Sequence, residues 1–163
     1  MVNPTPELIW QVLSELPDPE IPVISIVELG MVRDVQVNEN DVVVTITPTY
    51  SGCPATQMIR DDIESKLKEM GVQSPIIRTV ISPAWTTDWI TDEARKKLMD
   101  YGISPPPYAT EDKGALLGKP KHVICPHCKS EHTHLKSQFG STPCKALYVC
   151  DDCREPFDYF KCI

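Results

Sequence analysis

The first 121 residues contain no histidine; the four in the chain are His122, His127, His132 and His134. The usual general base is therefore missing from most of the sequence. There is no Ser/His/Asp order, no Gly-rich phosphate loop and no His-Glu-x-x-His helix. These absences leave no recognisable catalytic set. Long apolar runs are missing too, and none approaches the ~20 residues that a membrane helix needs. The N-terminus, Met1-Val2-Asn3-Pro4-Thr5-Pro6, lacks the basic and apolar regions of a signal peptide. A cytoplasmic protein without membrane contact is expected.

A basic excess is also absent. The 163 residues carry a net charge of −7, unevenly placed. Residues 1–104 hold 8 Lys+Arg against 16 Asp+Glu, a net of −8; residues 105–163 hold 8 against 7, a net of +1. Phosphate binding needs a basic surface, so a nucleic-acid role is disfavoured despite Lys119 and Lys121. Hydrophobic residues make up 41% of the chain, which is enough to form a packed core.

Cysteine is what the chain does have. Two Cys-x-x-Cys pairs, Cys125/Cys128 and Cys150/Cys153, are separated by the 21 residues from Lys129 to Val149. That is close to the ~15–20 residues between the knuckles of a structural zinc site. Zinc held by four thiolates is tetrahedral and closed, so this signal indicates a folded module rather than a reaction. Four thiolates also suit iron, and an iron–sulfur centre is the alternative. Cys144 is the rival ligand. His127, His132 and His134 read as solvent-facing ribbon residues, because four cysteines complete the site. Cys162 is either a packed thiol or a second reactive site.

The rest of the chain reads as an α/β domain with a small mixed sheet of three to four strands packed with helices. Thr5 caps a first helix, Pro6 suits its first position, and Ile9, Val12, Leu13 and Leu16 share a face. Asp18-Pro19-Glu20-Ile21-Pro22 is a stiff extended or turned loop. Met31–Val37 and Asp41–Thr47 read as strands joined by a turn at Asn38-Glu39-Asn40. A second helix follows Gly52, with Ala55, Ile59, Ile63 and Leu67 on its stripe together with Met58 and Met70. Ile76–Ile81 is the third strand, parallel to the second across a right-handed crossover. Thr91 starts a third helix, and Gly102 follows its end. The domains are then 1–104, a linker over 105–121, and a small β zinc ribbon over 122–163.

Cys53 stands apart from the ribbon. Pro54 suits the first turn of the second helix, so Cys53 falls at or near its N-cap. The unpaired amides there favour thiolate, and a partly exposed sulfur is expected. The alternative is a small cysteine that merely packs. Asp18 and Glu20 are either metal-binding acids or loop caps. Trp85 and Trp89 read as covering the core.

Three motifs occur in order: Leu16-Pro17-Asp18-Pro19-Glu20-Ile21-Pro22, Val27-Glu28-Leu29-Gly30-Met31-Val32 and Ser51-Gly52-Cys53-Pro54-Ala55. They resemble the MIP18 (DUF59-like) family of iron–sulfur assembly factors. Ser82-Pro83-Ala84-Trp85-Thr86-Thr87-Asp88-Trp89, Phe139-Gly140-Ser141-Thr142-Pro143-Cys144-Lys145 and Phe157-Asp158-Tyr159-Phe160-Lys161-Cys162-Ile163 extend the likeness. They resemble the PaaD-like (PaaJ-like) group of phenylacetate-degradation proteins, over nearly the whole chain. The resemblance implies an accessory role in maturing the multicomponent phenylacetyl-CoA 1,2-epoxidase, with no catalytic activity of its own. It implies partners among the reductase that bears an iron–sulfur cluster and the di-iron oxygenase. It also implies transient iron or cluster binding at Cys53, beside the acidic loop of Asp18 and Glu20. A non-catalytic structural subunit is the other role it allows. Where many relatives have Asp before Leu-Gly, this chain has Glu28.

Overall fold

The structure, a computed structural model, describes residues 4–38, 41–108 and 123–161. The hairpin tip at 39–40, most of the predicted linker (109–121), His122 and Cys162 lie outside the described residues. The chain divides into two compact units between Trp85 and Thr86.

In the first unit, helix α1 runs Pro6–Leu13. Thr5 Oγ1 accepts the Leu8 amide at 3.3 Å, satisfying one of the first-turn donors. Pro6 lies where a missing N–H costs nothing. Strands β1 (Val32–Val37) and β2 (Val42–Ile46) pair antiparallel. Helix α2 (Ala55–Glu69) then crosses to β3 (Pro75–Thr79), which lies parallel to β2. Parallel neighbours cannot be joined by a tight turn, so a helical crossover is needed. The sheet order is β1-β2-β3, and the predicted mixed sheet has three strands.

Apolar periodicity explains how these elements meet. Ala55, Ile59, Ile63 and Leu67 of α2 are all buried, four positions apart on one face. Met58, read with that stripe, instead points outward at 56% exposure. Three residues past Ala55, it falls at the edge of a stripe that a four-residue spacing already fills. Ile9 and Leu13 of α1 are buried, as are Val42, Val43, Val44 and Ile46 of β2. Each such side chain contributes about 1.5–3 kcal/mol on burial. Trp85 is buried, and its indole N–H donates to the Leu29 carbonyl at 2.9 Å, so its one polar atom is satisfied. The third strand ends at Thr79, earlier than predicted, and Ile81 is exposed.

The second unit begins with a 3-10 turn at Thr87–Trp89 and helix α3 at Asp92–Tyr101. Thr91 caps α3 through the Ala94 amide at 3.1 Å. Gly102 stops it in the left-handed region at φ 95°. The strands are β4 (Ile103–Ser104), β5 (Thr133–Ser137), β6 (Lys145–Cys150) and β7 (Pro156–Phe160). Their order is β4-β7-β6-β5, with β4 parallel to β7 and the other pairs antiparallel.

Helix α3 and strand β4 thus belong with the cysteine-bearing unit, although the sequence reading placed them in a domain ending at residue 104. Ile103 and Ser104 pair with Asp158 and Tyr159. The Arg95 guanidinium donates to the Thr87 and Pro106 carbonyls and stacks 4.0 Å from the centre of the Tyr108 ring. The strand pairing ties 86–108 to the later strands, and the Arg95 contacts hold that segment together. Among the described residues, no helix is long and apolar enough to cross a membrane.

Candidate functional site

The four predicted zinc ligands come together. Cys125, Cys128, Cys150 and Cys153 have sulfur atoms all within 4.8 Å of one another. Cys125 and Cys153 sulfurs are 3.7 Å apart, and Cys128 and Cys150 sulfurs 3.5 Å. Metal–sulfur bonds of ~2.3 Å to a tetrahedral ion place sulfurs about 3.8 Å apart. The donor set and its spacing therefore fit one four-thiolate metal centre. Among the described residues this is the single group of three or more Cys, His, Asp or Glu side chains so arranged. Cys144 is outside it. That side chain is buried, with its sulfur 3.0 Å from Thr142 Oγ1.

Both knuckles are built alike. The Lys129 amide donates to Cys125 O at 2.9 Å, and the Arg154 amide to Cys150 O at 3.0 Å. In return, the Cys125 amide donates to Ser130 O at 2.9 Å, and the Cys150 amide to Glu155 O at 3.1 Å. Each turn closes through a left-handed residue, Lys129 at φ 65° and Arg154 at φ 66°. Glycine would adopt that conformation without strain, so two long basic residues here conceal the turn in the sequence.

These turns aim backbone amides at sulfur. The Cys153 amide, with help from that of Asp152, lowers the Cys150 thiol to about 7. The Glu155 amide favours a Cys153 thiolate, but desolvation and the neighbouring sulfurs outweigh it and push that thiol up to about 12. The Ser130 amide acts likewise on Cys128, where desolvation and the Cys150 and Cys125 sulfurs make the net shift upward. Four thiolates this close cannot all ionise without a cation, and a coordinated metal deprotonates its thiols outright.

The ribbon histidines lie on its surface. His132 Nδ1 is 3.1 Å from Asp152 Oδ2, and His134 Nδ1 is 2.8 Å from Asp151 Oδ1. They tie β5 to the second knuckle. The Ser130 hydroxyl donates to Asp152 as well and, ahead of His132, holds that carboxyl below its usual range.

In the first unit, Cys53 precedes α2 as predicted, one residue before the Pro54 cap. Its own carbonyl accepts the Thr56 amide at 3.1 Å. The cap has no side-chain hydrogen bond, and the first turn of α2 holds no acid, so the positive helix end is not neutralised from within. Cys53 is only 9% exposed, which corrects the expected partial exposure. Gly52 beside it has φ +81°, and a Cβ added there would meet nothing within 4 Å. Two buried hydroxyls that the sequence reading overlooked, Thr47 Oγ1 at the end of β2 and Thr56 Oγ1 in the first turn of α2, have no hydrogen-bond partner. No sequence pattern marks them.

Asp18 is buried, and its Oδ1 accepts the amides of Glu20 at 2.9 Å and Ile21 at 2.8 Å. It braces the proline loop by an Asx-type turn. Glu28 Oε2 accepts the Ser25 amide at 2.9 Å, while Ser25 Oγ accepts the Glu28 amide at 3.1 Å. This reciprocal Ser-x-x-Glu pair follows the hydrogen-bond pattern of a capping box, here closing a turn rather than a helix, and the sequence signal for it was present. A Glu at position 28 has the reach that the box requires. Asp18, Glu20 and Cys53 do not form a three-ligand metal cluster.

Comparison with known proteins agrees with both units. A family model described as iron–sulfur cluster assembly protein matches residues 6–73. A model described as PaaD zinc beta ribbon domain matches residues 109–161. The chain is 54% identical over 155 residues to a protein of Escherichia coli (strain K12) that is provisionally named as a subunit of 1,2-phenylacetyl-CoA epoxidase. That match covers 95% of this chain and 92% of the relative. A protein of Porphyromonas gingivalis (strain ATCC BAA-308 / W83) named Fe-S protein maturation auxiliary factor is 35% identical, over 58% of this chain and 90% of its own length. The crystal structure of a DUF59 domain of unknown function from Bacillus anthracis is 30% identical with a TM-score of 0.54, covering 57% of this chain and 90% of that one. An iron–sulfur assembly domain followed by a four-cysteine ribbon, matched by a relative of the same span, makes this chain a member of the PaaD-like family.

Proposed function

We propose that the protein is a maturation factor, without catalysis of its own, that helps deliver iron or iron–sulfur clusters to components of a phenylacetyl-CoA 1,2-epoxidase. One observation carries this reading. An assembly-type domain is joined to a ribbon in a chain that is 54% identical to the E. coli relative over 95% of its length. Cys53 is the group proposed to bind iron or a cluster. Gly52 leaves open space next to this residue, and the helix end supplies unneutralised amides. Asp18 and Glu20 are assigned the shaping of the site. The four-cysteine centre is assigned zinc, which suits paired knuckles and leaves no open coordination position. Its work is structural, and the ribbon surface holds the client.

The relative's name favours a second reading, a non-catalytic component that stays in the complex. Expressing the epoxidase components with and without this protein, then assaying their iron and sulfide, separates the two. A maturation factor leaves its client poor in iron or sulfide when absent, and it is substoichiometric in the active enzyme. Full metal content without it, with activity restored on adding it back, would replace the first reading by the second.

A further inference from the structure

The four ribbon sulfurs differ in their access to solvent. Cys125 and Cys150, the leading residues of the two knuckles, are 0% exposed. Both belong to the ribbon core with Val123, Ala146, Phe157 and Tyr159. Cys153, trailing in the second knuckle, is partly buried and packs against that core. Cys128, trailing in the first, is exposed and is not among the residues packed there. Its neighbours His127 and Lys129 are exposed as well. Lys129 is turned back, its Nζ donating to the Pro126 carbonyl at 2.8 Å, so its amine is held by the knuckle's own backbone. Three ligands are thus shielded by the fold, and one is not.

We propose that Cys128 is the labile ligand of the metal centre, a modification site at which a soft electrophile unloads the metal and unfastens the ribbon. The inference rests on the metal reading of the four-cysteine centre. In the step itself, the Cys128 thiolate adds to an electron-poor carbon–carbon double bond. A sulfur–carbon bond forms, the π bond breaks, and the adjacent carbon takes a proton from water. The thioether so made is neutral and a far weaker ligand than thiolate. A dication left with three thiolates loses its closed tetrahedral shell and becomes open to chelators. Because metal binding supplies folding energy to so small a core, loss of one ligand reaches the whole ribbon.

The test uses the metal-loaded full chain, limiting N-ethylmaleimide, a chromogenic metal indicator and peptide mass mapping. Acid treatment of a parallel sample gives the total metal. Metal release is expected to track alkylation of Cys128 one for one, in molecules whose Cys125 and Cys150 are still free. Alkylation of Cys153 or of a buried ligand before Cys128, or alkylated Cys128 with metal retained, would overturn the proposal. The substitution Cys128→His keeps a ligand but removes the thiolate. It should retain metal and slow maleimide-driven release at least ~10-fold; release at the wild-type rate would also overturn the proposal. If acid frees no metal from the unmodified protein, the metal reading itself fails. Metal freed by acid but not through Cys128 contradicts only this inference.

Discussion

Residues 4–85 bury large aliphatic side chains from α1, α2 and the sheet, among them Ile9, Leu13, Ile46, Ile59, Ile63 and Leu67. The ribbon core between 123 and 161 is smaller, and two of its six buried residues, Cys125 and Cys150, belong to the four-cysteine cluster. The first region is held by the hydrophobic effect, whereas the second places four cysteines where a bound metal would add coordination to a small packed core. Their thiols differ in the same way. Cys53 stands alone at a helix end, while the ribbon sulfurs are gathered by two matching turns. The two kinds of thiol are thus told apart by surroundings rather than by residue type.

Metal removal should give the largest contrast. Chelation, or Cys150→Ser, should unfold the ribbon in the full chain while resonances from residues 4–85 keep their positions. Loss of both sets together would show that the regions are not independent. Acid should act as a milder chelator. In the metal-free ribbon Cys153 is pushed up to about 12 and Cys128 is also raised, so both keep their protons at neutral pH. Metal binding must displace those protons, hence affinity should rise with pH and fall as pH drops. Metal titration in weakly buffered solution, read by proton release, checks the sign.

Next in size is the aliphatic core. Ile63→Ala should cost about 2–5 kcal/mol in the first region, read from its denaturant midpoint, and leave bound metal unchanged. Ser25→Ala removes one half of the capping box and should cost about 1 kcal/mol. The smallest effect is expected at Lys129, whose left-handed backbone glycine would adopt freely. Lys129→Gly should shift ribbon stability by less than about 1 kcal/mol, whereas Lys129→Val, branched at Cβ, should cost more. Equal cost for the two would mean that φ is not what this turn demands.

Much of this was legible beforehand because local physics carried it. Thr5 with Pro6, and Thr91 with Gly102, mark helix ends without reference to the rest of the chain. The spacing of Ala55, Ile59, Ile63 and Leu67 gives a helix face, and strand–helix–strand order gives a parallel pair. The ribbon cysteines were legible because metal geometry restricts their spacing. What the residues did not reveal depends on distant contacts. Strand β4 exists only because Ile103 and Ser104 meet Asp158 and Tyr159, so its grouping with the ribbon had no local signal. The low exposure of Cys53 depends on how the loop after β2 packs, which motif spacing cannot show. The Ser25/Glu28 pair was readable as a Ser-x-x-Glu pattern in the sequence.

The most direct measurement concerns Cys53. Epoxidase components would be co-expressed with either the wild-type protein or Cys53→Ser, and their iron and acid-labile sulfide assayed. The substituted protein should keep its fold and its ribbon metal, yet leave the client as poor in iron or sulfide as when no factor is present. Normal iron and sulfide in components made with Cys53→Ser would show that this thiol only packs, and would contradict its proposed role in maturation.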